Sequence, residues 1–544
     1  MNGKALNNPR LNYISQYINP EFAFSDTNGI GDDLQISSFR ESEKQSAFFI
    51  RHFGFMGSAV EKAWLTYMRS ERGRKKINDL SQEEAIKKFG LKLLQRETQM
   101  ISSPKGALVI NHEGMAKFLL KIFAVTQLAN AQGLLLYDWN KKCYEHTEKN
   151  NVLRKAIAAL LNTITVDGWA SCTENRIIDL VGHSLKPVLL AEFDTEYSSF
   201  GGKLLDLKSL TDGGDADPNK LVLHYSDAIL DMSAQCPKFQ SFLNEDLPDK
   251  QSQAFLQEYT GYLLEATNKA HAFLIIHGAG QNGKSVYLGL VTQLLGSNNV
   301  SAGNIESLGK DFGLSPLVGK LANISNEGET VNFSTAQLKA ITSGDPVQVN
   351  QKNRDMFSMV LRTKFIFSTN NLPTTRDTSE GFSRRLNILP FNVHIPKDKV
   401  NPDLSEKLSQ ELSGILNWAI EGLKRLRSND YHFTESREMR SAKEHYILGN
   451  QPVRRFVREC FVARNGSKIA FSDLRSLYGK WLQENELADL GTLDKRTFSE
   501  KVKREISNAF NSDPVLVNMH GHLKGIAGFY INTEGGEVDD KRIV

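Results

Sequence analysis

The stretch Gly278-Ala279-Gly280-Gln281-Asn282-Gly283-Lys284-Ser285 decides the fold of this chain, because it fits the phosphate-binding pattern G-x-x-x-x-G-K-[ST] at every position. The apolar run 272–277 before it predicts a buried strand, and residues 286–295 after it predict a helix. A strand, a glycine loop and a helix N-terminus direct free backbone N–H groups and the helix dipole toward an anion. We therefore expect these eight residues to bind ATP, with Lys284 on the β- and γ-phosphates and the Ser285 hydroxyl on Mg²⁺.

The composition narrows the class of protein. A chain of 544 residues predicts three or four domains of ordinary size. Its 66 lysines and arginines nearly balance its 63 acidic residues, so a nucleic-acid partner has to be argued from local clusters of charge. Four scattered cysteines without a C-x-x-C pair argue against structural zinc or a disulfide framework and indicate reduced thiols. A polar N-terminus and the lack of a long apolar run predict a cytoplasmic protein with no membrane partner.

The region around the phosphate loop has the pattern of an α/β fold. Residues 265–395 alternate between strand and helix patterns, with strands expected at 272–277, 321–325 and 364–368. Such alternation is typical of a parallel sheet with covering helices. Upstream, residues 1–100 are a domain of unknown role. Residues 101–264 are a mixed α/β domain, with helices expected at 115–128, 152–161 and 253–264 and a strand at 186–193.

Two regions follow the ATPase region. Residues 396–450 are expected to form a helical connector, with helices within 403–427. Residues 451–544 have the order of a winged helix, because two helices precede a β-hairpin. Its expected elements are helices at 472–483 and 495–506 and strands at 515–517 and 528–531 around the turn 520–522.

Polar residues follow two of the expected strands. Glu327 and Glu329 come after the strand 321–325, where a carboxylate would complete the Mg²⁺ shell and help to activate water. Asn370 follows the strand 364–368, where an amide would sense the γ-phosphate and orient water. Acids and asparagines after strands are also common in ordinary loops, so these signals depend on their combination with the phosphate loop.

Basic residues mark two further features. Arg384 and Arg385 precede an apolar strand, where an arginine from one subunit would stabilise the transferring phosphate of its neighbour; a surface ion pair is the alternative. A helix expected at 334–343 leads to a hairpin whose tip carries Lys352 and Arg354. Such a tip inside a ring pore would grip the phosphates of a single strand, and a solvated tip is the alternative.

Together these pieces resemble a known family, the superfamily 3 helicases of the phage and plasmid primase-helicase type, which are related to poxvirus primase-helicases and viral replication initiators. The resemblance is good over residues 195–395 and loose over 105–195. It rests on the strings FGGKLLDLKSL, AQCPKFQSFLNEDLPDKQSQAFLQEYTGYLL, GAGQNGKS, LVGKLANISNEGE, LKAITSGDPVQV, FIFSTNNLP and FSRRLNILPF.

The resemblance implies an AAA+-like P-loop ATPase and assigns roles within it. Lys284 and Ser285 are implied as the phosphate-loop residues, Glu327 as the Mg²⁺-site acid and Asn370 as the first sensor. One of Arg384 and Arg385 is implied as the arginine finger, and Lys352 or Arg354 as the contact of the DNA-binding hairpin. Gly328 separates two acids that are adjacent in many relatives, so either glutamate is a candidate for polarising water.

The expected function is an ATP-driven, homohexameric replicative DNA helicase and initiator of a phage, satellite or plasmid in a bacterial host cell, and the resemblance implies 3′→5′ movement. A single strand would lie in the pore and duplex DNA on the winged helix. The candidate duplex contacts lie in or near its second helix and are Lys495, Arg496, Lys501, Lys503 and Arg504. The alternative is an ATP-dependent DNA-binding switch or defence factor that forms a ring without unwinding. A small-molecule kinase would not need the arginine pair, the hairpin or the winged helix.

Many relatives carry an N-terminal primase, whose active site needs clustered carboxylates and a histidine to hold two metals. Asp32-Asp33 is an early acidic pair, and nothing in the sequence attaches His52 to it. We therefore expect no primase activity in this chain, and a separate primase or initiator protein is a candidate partner.

Overall fold

The computed structural model divides the chain into two compact units, Met1–Leu230 and Asp231–Val544. The division falls inside 101–264, the range that the sequence analysis assigns to one domain. The structure describes residues 14–24, 49, 52–69, 82–102, 108–129, 133–147, 150–165, 169–326, 335–352, 355–375, 377, 379–396, 401–485, 487, 493–519 and 523–531. Asp32 and Asp33 and the turn 520–522 lie outside these residues.

The first unit packs helices around a core that includes the fully buried Trp64, Phe89 and Phe118. Its helices are α1 (Gly57–Arg69), α2 (Gln82–Glu97), α3 (His112–Ile122), α4 (Asn151–Ile164) and α5 (Ser171–His183). Its described residues form three small sheets. Their strands are β1 (Ile101–Ser102), β2 (Leu108–Val109), β3 (Val125–Gln127), β4 (Leu134–Asp138), β5 (Cys143–His146), β6 (Tyr197–Phe200), β7 (Lys203–Asp206), β8 (Thr211–Asp212) and β9 (Tyr225–Ser226).

Two expectations for this unit are wrong. The helix expected at 115–128 ends at Ile122, and the chain continues in strand β3, which pairs with β4. The β-branched residues of β3 gain cross-strand partners there that a helix would not provide. The strand expected at 186–193 is absent: Val188 makes a single bridge to Leu128, and Leu190–Glu192 is a 3₁₀ turn. Val188 and Phe193 pack in one small core cluster whereas Leu189 is exposed, so the apolar residues of this segment do not mark a β-ladder.

The second unit is built on a parallel sheet of five strands. In chain order they are β10 (Phe273–His277), β11 (Val300–Ser301), β12 (Ala322–Asn326), β15 (Lys364–Thr369) and β16 (Leu386–Pro390), and their order in the sheet is β11-β12-β15-β10-β16. The central strands are nearly continuous apolar runs because both faces of the sheet are covered. The three strands expected from the sequence are confirmed, and β15 lies between β10 and β12.

Helices and one hairpin complete this part of the unit. The hairpin pairs β13 (Pro346–Val349) with β14 (Phe357–Val360) in antiparallel register, as expected, and follows a short helix that ends at Ser343. The helices are α6 (Pro237–Asp246), α7 (Lys250–Tyr262), α8 (Lys284–Leu295), α9 (Ala336–Ser343), α10 (Glu380–Ser383), α11 (Leu404–Ser409), α12 (Leu412–Ser428) and α13 (Arg437–Gly449). No helix of the described residues is long and apolar enough to cross a bilayer.

The described residues of the C-terminal region form three helices and a three-stranded antiparallel sheet. The two helices and two strands expected there are confirmed, and a third strand, β17, adds to them. The elements are α14 (Pro452–Cys460), β17 (Phe461–Ala470), α15 (Phe471–Glu484), α16 (Lys495–Phe510), β18 (Val515–Met519) and β19 (Leu523–Ile531). Their core includes the buried Phe456, Leu474 and Val502.

Candidate nucleotide-binding site

The phosphate loop connects β10 to α8, as its sequence predicts. Gly280, Gln281 and Gly283 have φ values of 98°, 49° and 77°, in the left-handed region that glycine adopts without steric cost. Gly283 is the N-cap residue, immediately before helix α8 begins at Lys284. The loop therefore turns sharply after the strand and leads into a helix N-terminus, which is the geometry of an anion-binding site.

The segment after β16 holds this loop in place. The backbone N–H of Phe391 donates to the carbonyl of His277 over 2.7 Å, and the N–H of Ile395 donates to the carbonyl of Gln281 over 2.8 Å. The Asn282 side chain donates from Nδ2 to the carbonyl of Phe391 over 2.9 Å. At Gly278 a Cβ atom would lie 2.2 Å from this Nδ2, so only glycine fits.

The Lys284 side chain is buried beneath the loop and is surrounded by oxygen atoms. Its Nζ donates to the carbonyl of Gly278 over 2.6 Å, to Oδ1 of Asn282 over 3.0 Å and to Oδ1 of Asn370 over 3.2 Å. Asn370 follows β15, the strand beside β10. The structure thus brings together two residues, Lys284 and Asn370, that lie 86 positions apart in the chain.

An open cleft of about 1090 Å³ lies over the loop. Ser285 and Asn326, the last residue of β12, both line it. Hydroxyl and amide oxygens are ligands that Mg²⁺ accepts, so this donor set fits the expected ion in part. Glu327 and Glu329 lie outside the described residues. The chain reaches the cleft at Asn326, immediately before Glu327.

The two candidate finger arginines are in different environments. Arg385 is buried, and its guanidinium donates to the carbonyl of Gly381 and to the hydroxyl of Ser343. Arg384 is exposed. A finger has to leave its own subunit to reach a neighbouring nucleotide, so Arg384 is the better placed of the two.

The candidate DNA contacts lie on the hairpin and on helix α16. Lys352 is exposed at the hairpin tip, and Arg354 lies outside the described residues. On α16, Lys495 is exposed, and Lys501 is partly exposed. The other three basic residues have contacts within the helix region: Arg496 pairs with Glu500 over 3.1 Å, Arg504 pairs with Glu505 over 3.3 Å, and Lys503 lies over the Phe471 ring.

The sequence analysis missed one wall of the cleft. Helix α6 contributes the cleft residues Lys238, Ser241, Phe242, Glu245 and Asp246. Their spacing of three and four is that of one helix face, but such spacing also describes an ordinary core-facing stripe. Burial, with the charge of Glu245 adding to it, raises the pKa of Asp246 to about 6.

Known proteins resemble this chain at low identity. A family model described as "Family of unknown function (DUF5906)" matches residues 276–385. The chain is 22% identical over 332 residues to "Putative helicase 121R" of Invertebrate iridescent virus 3, covering 54% of this chain and 35% of that protein. It is 24% identical over 163 residues to "Putative helicase L207/L206" of Acanthamoeba polyphaga mimivirus, covering 28% of this chain and 16% of that protein.

A solved structure, the A form of the apo NrS-1 C-terminal region, matches with a TM-score of 0.45 and 15% identity, over 76% of this chain and 98% of that chain. The match to the first viral relative spans about a third of its length, and the match to the second spans less. The chain is therefore similar to viral proteins that are named as helicases, over a part of their length.

Proposed function

We propose that this chain is an ATP-dependent DNA helicase of superfamily 3, assembled as a homohexamer that replicates a phage, satellite or plasmid. The observation that carries the proposal is the 3.2 Å contact between Asn370 and Lys284. It joins the end of β15 to the phosphate loop, so an amide suited to sensing the γ-phosphate lies beside the lysine that we propose binds it. The helicase names of the viral relatives support the same reading.

The residues of the cleft divide the chemistry of ATP hydrolysis among them. Backbone N–H groups from Gly280 to Ser285 would cradle the phosphates, and Lys284 would exchange its three protein oxygens for phosphate oxygens. Mg²⁺, held by Ser285 and Glu327, would neutralise charge on the phosphates. Arg384 would act from a neighbouring subunit, so turnover would depend on ring assembly.

The DNA-binding roles fall to two elements. The hairpin tip, with Lys352 and Arg354, would move one strand through the pore in the 3′→5′ direction. The C-terminal region would act as a winged helix, with α16 as the helix that enters the major groove. The antiparallel sheet of order β17-β19-β18 beside α15 and α16 supports this assignment.

Unwinding of a forked DNA duplex tests the function. The wild-type protein is expected to displace one strand with ATP and Mg²⁺, and Lys284→Ala is expected to lower ATP turnover by about 10²–10³-fold, because one positioned charge on the phosphates is lost. Thermal melting of the same variant checks that its fold is intact.

The outcomes separate the candidate functions. Normal turnover in folded Lys284→Ala would remove the phosphate-loop assignment. ATP-dependent ring formation and DNA binding without strand displacement would instead favour the DNA-binding switch over the helicase.

A further inference from the structure

Helix α6 forms a fixed wall of the nucleotide cleft. Its first turn is held by Glu411, whose carboxylate accepts the backbone N–H groups of Lys238 and Phe239 over 3.2 and 3.0 Å. The Phe239 ring packs edge-on against Trp418 at 5.0 Å between centroids. The residues of α6 that line the cleft are therefore positioned by the fold before a nucleotide binds.

Asp246, the last residue of α6, is the unusual group in this wall. Its side chain is 6% exposed, and its Oδ2 atom has no hydrogen-bond partner among the described residues. The carboxyl group lies against the phosphate loop, since a Cβ atom at Gly283 would be 2.1 Å from Oδ2. Buried polar groups are almost always hydrogen-bonded, so this carboxyl group is open to a hydrogen-bond donor that the described residues do not supply.

The chemistry of the cleft restricts what that partner is. A carboxylate repels phosphate oxygens, so the polyphosphate itself is excluded. The remaining donors on a nucleotide are its ribose hydroxyls and the amino group of its base.

We propose that Asp246 is a specificity-determining residue that accepts a hydrogen bond from the nucleoside part of the bound nucleotide. The inference rests on the proposed function, because it requires that the phosphate loop binds a nucleoside triphosphate. A site whose buried acceptor is satisfied only by the correct ligand discriminates strongly against an analogue without the donor. Asp246 thus selects the nucleoside, while Lys284 binds the phosphates.

Nucleotide affinities measured on the whole chain test this role. The ligands are ATP, 2′-deoxy-ATP, 3′-deoxy-ATP and purine riboside triphosphate, which lacks the 6-amino group. The wild-type protein is expected to bind ATP at least about tenfold more tightly than one of the three analogues. The analogue that is rejected identifies the donor as one of the two ribose hydroxyls or the base amino group.

Two variants of Asp246 and a control on the same helix separate nucleotide recognition from effects of charge and of folding. Asp246→Ala is expected to bind ATP and the rejected analogue within about twofold of each other, whereas Asp246→Asn, which keeps an acceptor oxygen, retains part of the discrimination. Gln240→Ala removes an exposed side chain of the same helix, away from the cleft lining, and is expected to keep the wild-type ratio. If Asp246→Ala does not fold, Asp246→Asn alone decides, because its ratio must fall below that of the wild-type protein.

The results also distinguish a failure of the role proposed for Asp246 from a failure of the proposed ATP-dependent function. Wild-type protein that binds all four nucleotides equally, or an Asp246→Ala variant with the wild-type ratio, would overturn the role of Asp246 and leave the ATPase intact. Wild-type protein that binds none of the four would overturn the proposed function itself.

Discussion

Arg384 and Arg385 are adjacent in the chain, but we expect their replacement by alanine to affect different properties of the protein. Arg385→Ala deletes hydrogen bonds to Gly381 and Ser343 from a buried side chain, so we expect a loss of stability of about 1–3 kcal/mol. Arg384→Ala removes an exposed side chain, so we expect an unchanged melting temperature and a turnover lower by about 10³-fold or more. Thermal melting and ATPase rates on both variants check the assignment.

Mixed rings provide the control for action between subunits. Arg384→Ala and Lys284→Ala are each expected to be inactive, but a mixture contains interfaces that join an intact finger to an intact phosphate loop. Turnover in the mixture should therefore exceed that of either variant. An inactive mixture, with subunit exchange demonstrated, would mean that Arg384 does not act across the interface.

Lys364 gives the fold a dependence on pH. It is 2% exposed, its ammonium group lies 5.2 Å from the centre of the Tyr262 ring, and burial lowers its pKa to about 7. Because the pKa in the folded state is below that of an ordinary lysine, unfolding takes up a proton between about pH 7 and 10.5. The resulting penalty is largest below pH 7 and disappears as the pH rises toward 10.5.

Replacing Lys364 by methionine should remove this penalty. We expect Lys364→Met to be more stable than the wild-type protein at pH 7, with an advantage that shrinks by about 2 kcal/mol by pH 9. Urea unfolding at the two pH values, with the exposed Lys352→Met as the matched control, measures the difference. An advantage that does not change with pH would show that Lys364 does not titrate in this range.

Single residues were predictable from the sequence where chemistry fixes their spacing. The phosphate-loop pattern fixes eight consecutive positions, and Asn370 follows a recognisable strand. The sequence could therefore predict that Asn370 and Lys284 belong to one site. The environment of Arg385 was not, because its partner Ser343 is 42 positions away. Asp246 was missed for the same reason, since only the folded chain brings it against Gly283.

Elements were predictable where burial dictates a continuous pattern. Strands β10 and β15 can be recognised in the sequence as apolar runs, because both faces of the sheet are covered. Strand β17 was missed because its middle is polar and exposed and its ladder with β19 shifts register between Ala463 and Lys468. Such a strand depends on its partner rather than on its own composition.

Helix α9, which leads into the hairpin, is held at both ends by the segment that links Asn370 to Arg385. At its start, Asp377 accepts hydrogen bonds from Thr335 and from Lys339, the latter over 2.6 Å. At its end, Arg385 donates to Ser343. We expect Asp377→Asn to weaken the attachment of α9 and its hairpin to the segment between Asn370 and Arg385. This change should lower unwinding more than it lowers ATP turnover.

A double-mutant cycle on Asp377→Asn and Lys339→Met isolates this contact. The pair is partly buried, so its coupling energy should be about 1 kcal/mol. The ratio of unwinding to ATP hydrolysis should fall alike in both single variants and no further in the double variant. Equal losses of unwinding and hydrolysis would mean that the contact only supports the fold.

At the scale of the whole molecule, net charge does not indicate a DNA-binding protein, because the 66 basic residues nearly balance the 63 acidic ones. The proposed DNA binding would therefore depend on local positions, and two exposed sets of the described residues are candidates: Lys352 on the hairpin, and Lys495 with Arg496 on α16. We expect these sets to carry different steps. Lys352→Ala should lower unwinding of a forked substrate and leave duplex affinity unchanged, because a pore contact engages only the translocating strand.

The helix variant should show the opposite pattern. Lys495→Ala/Arg496→Ala should weaken duplex binding and reduce the slope of log affinity against log salt by roughly one unit for each lost phosphate contact, because fewer counterions are released. Arg496 also pairs with Glu500, so its contribution should be the smaller of the two. Duplex titrations across a salt series, with Lys352→Ala measured in parallel, give both slopes. If the helix variant keeps the wild-type slope, or if Lys352→Ala reduces it instead, then α16 is not the surface that holds duplex DNA.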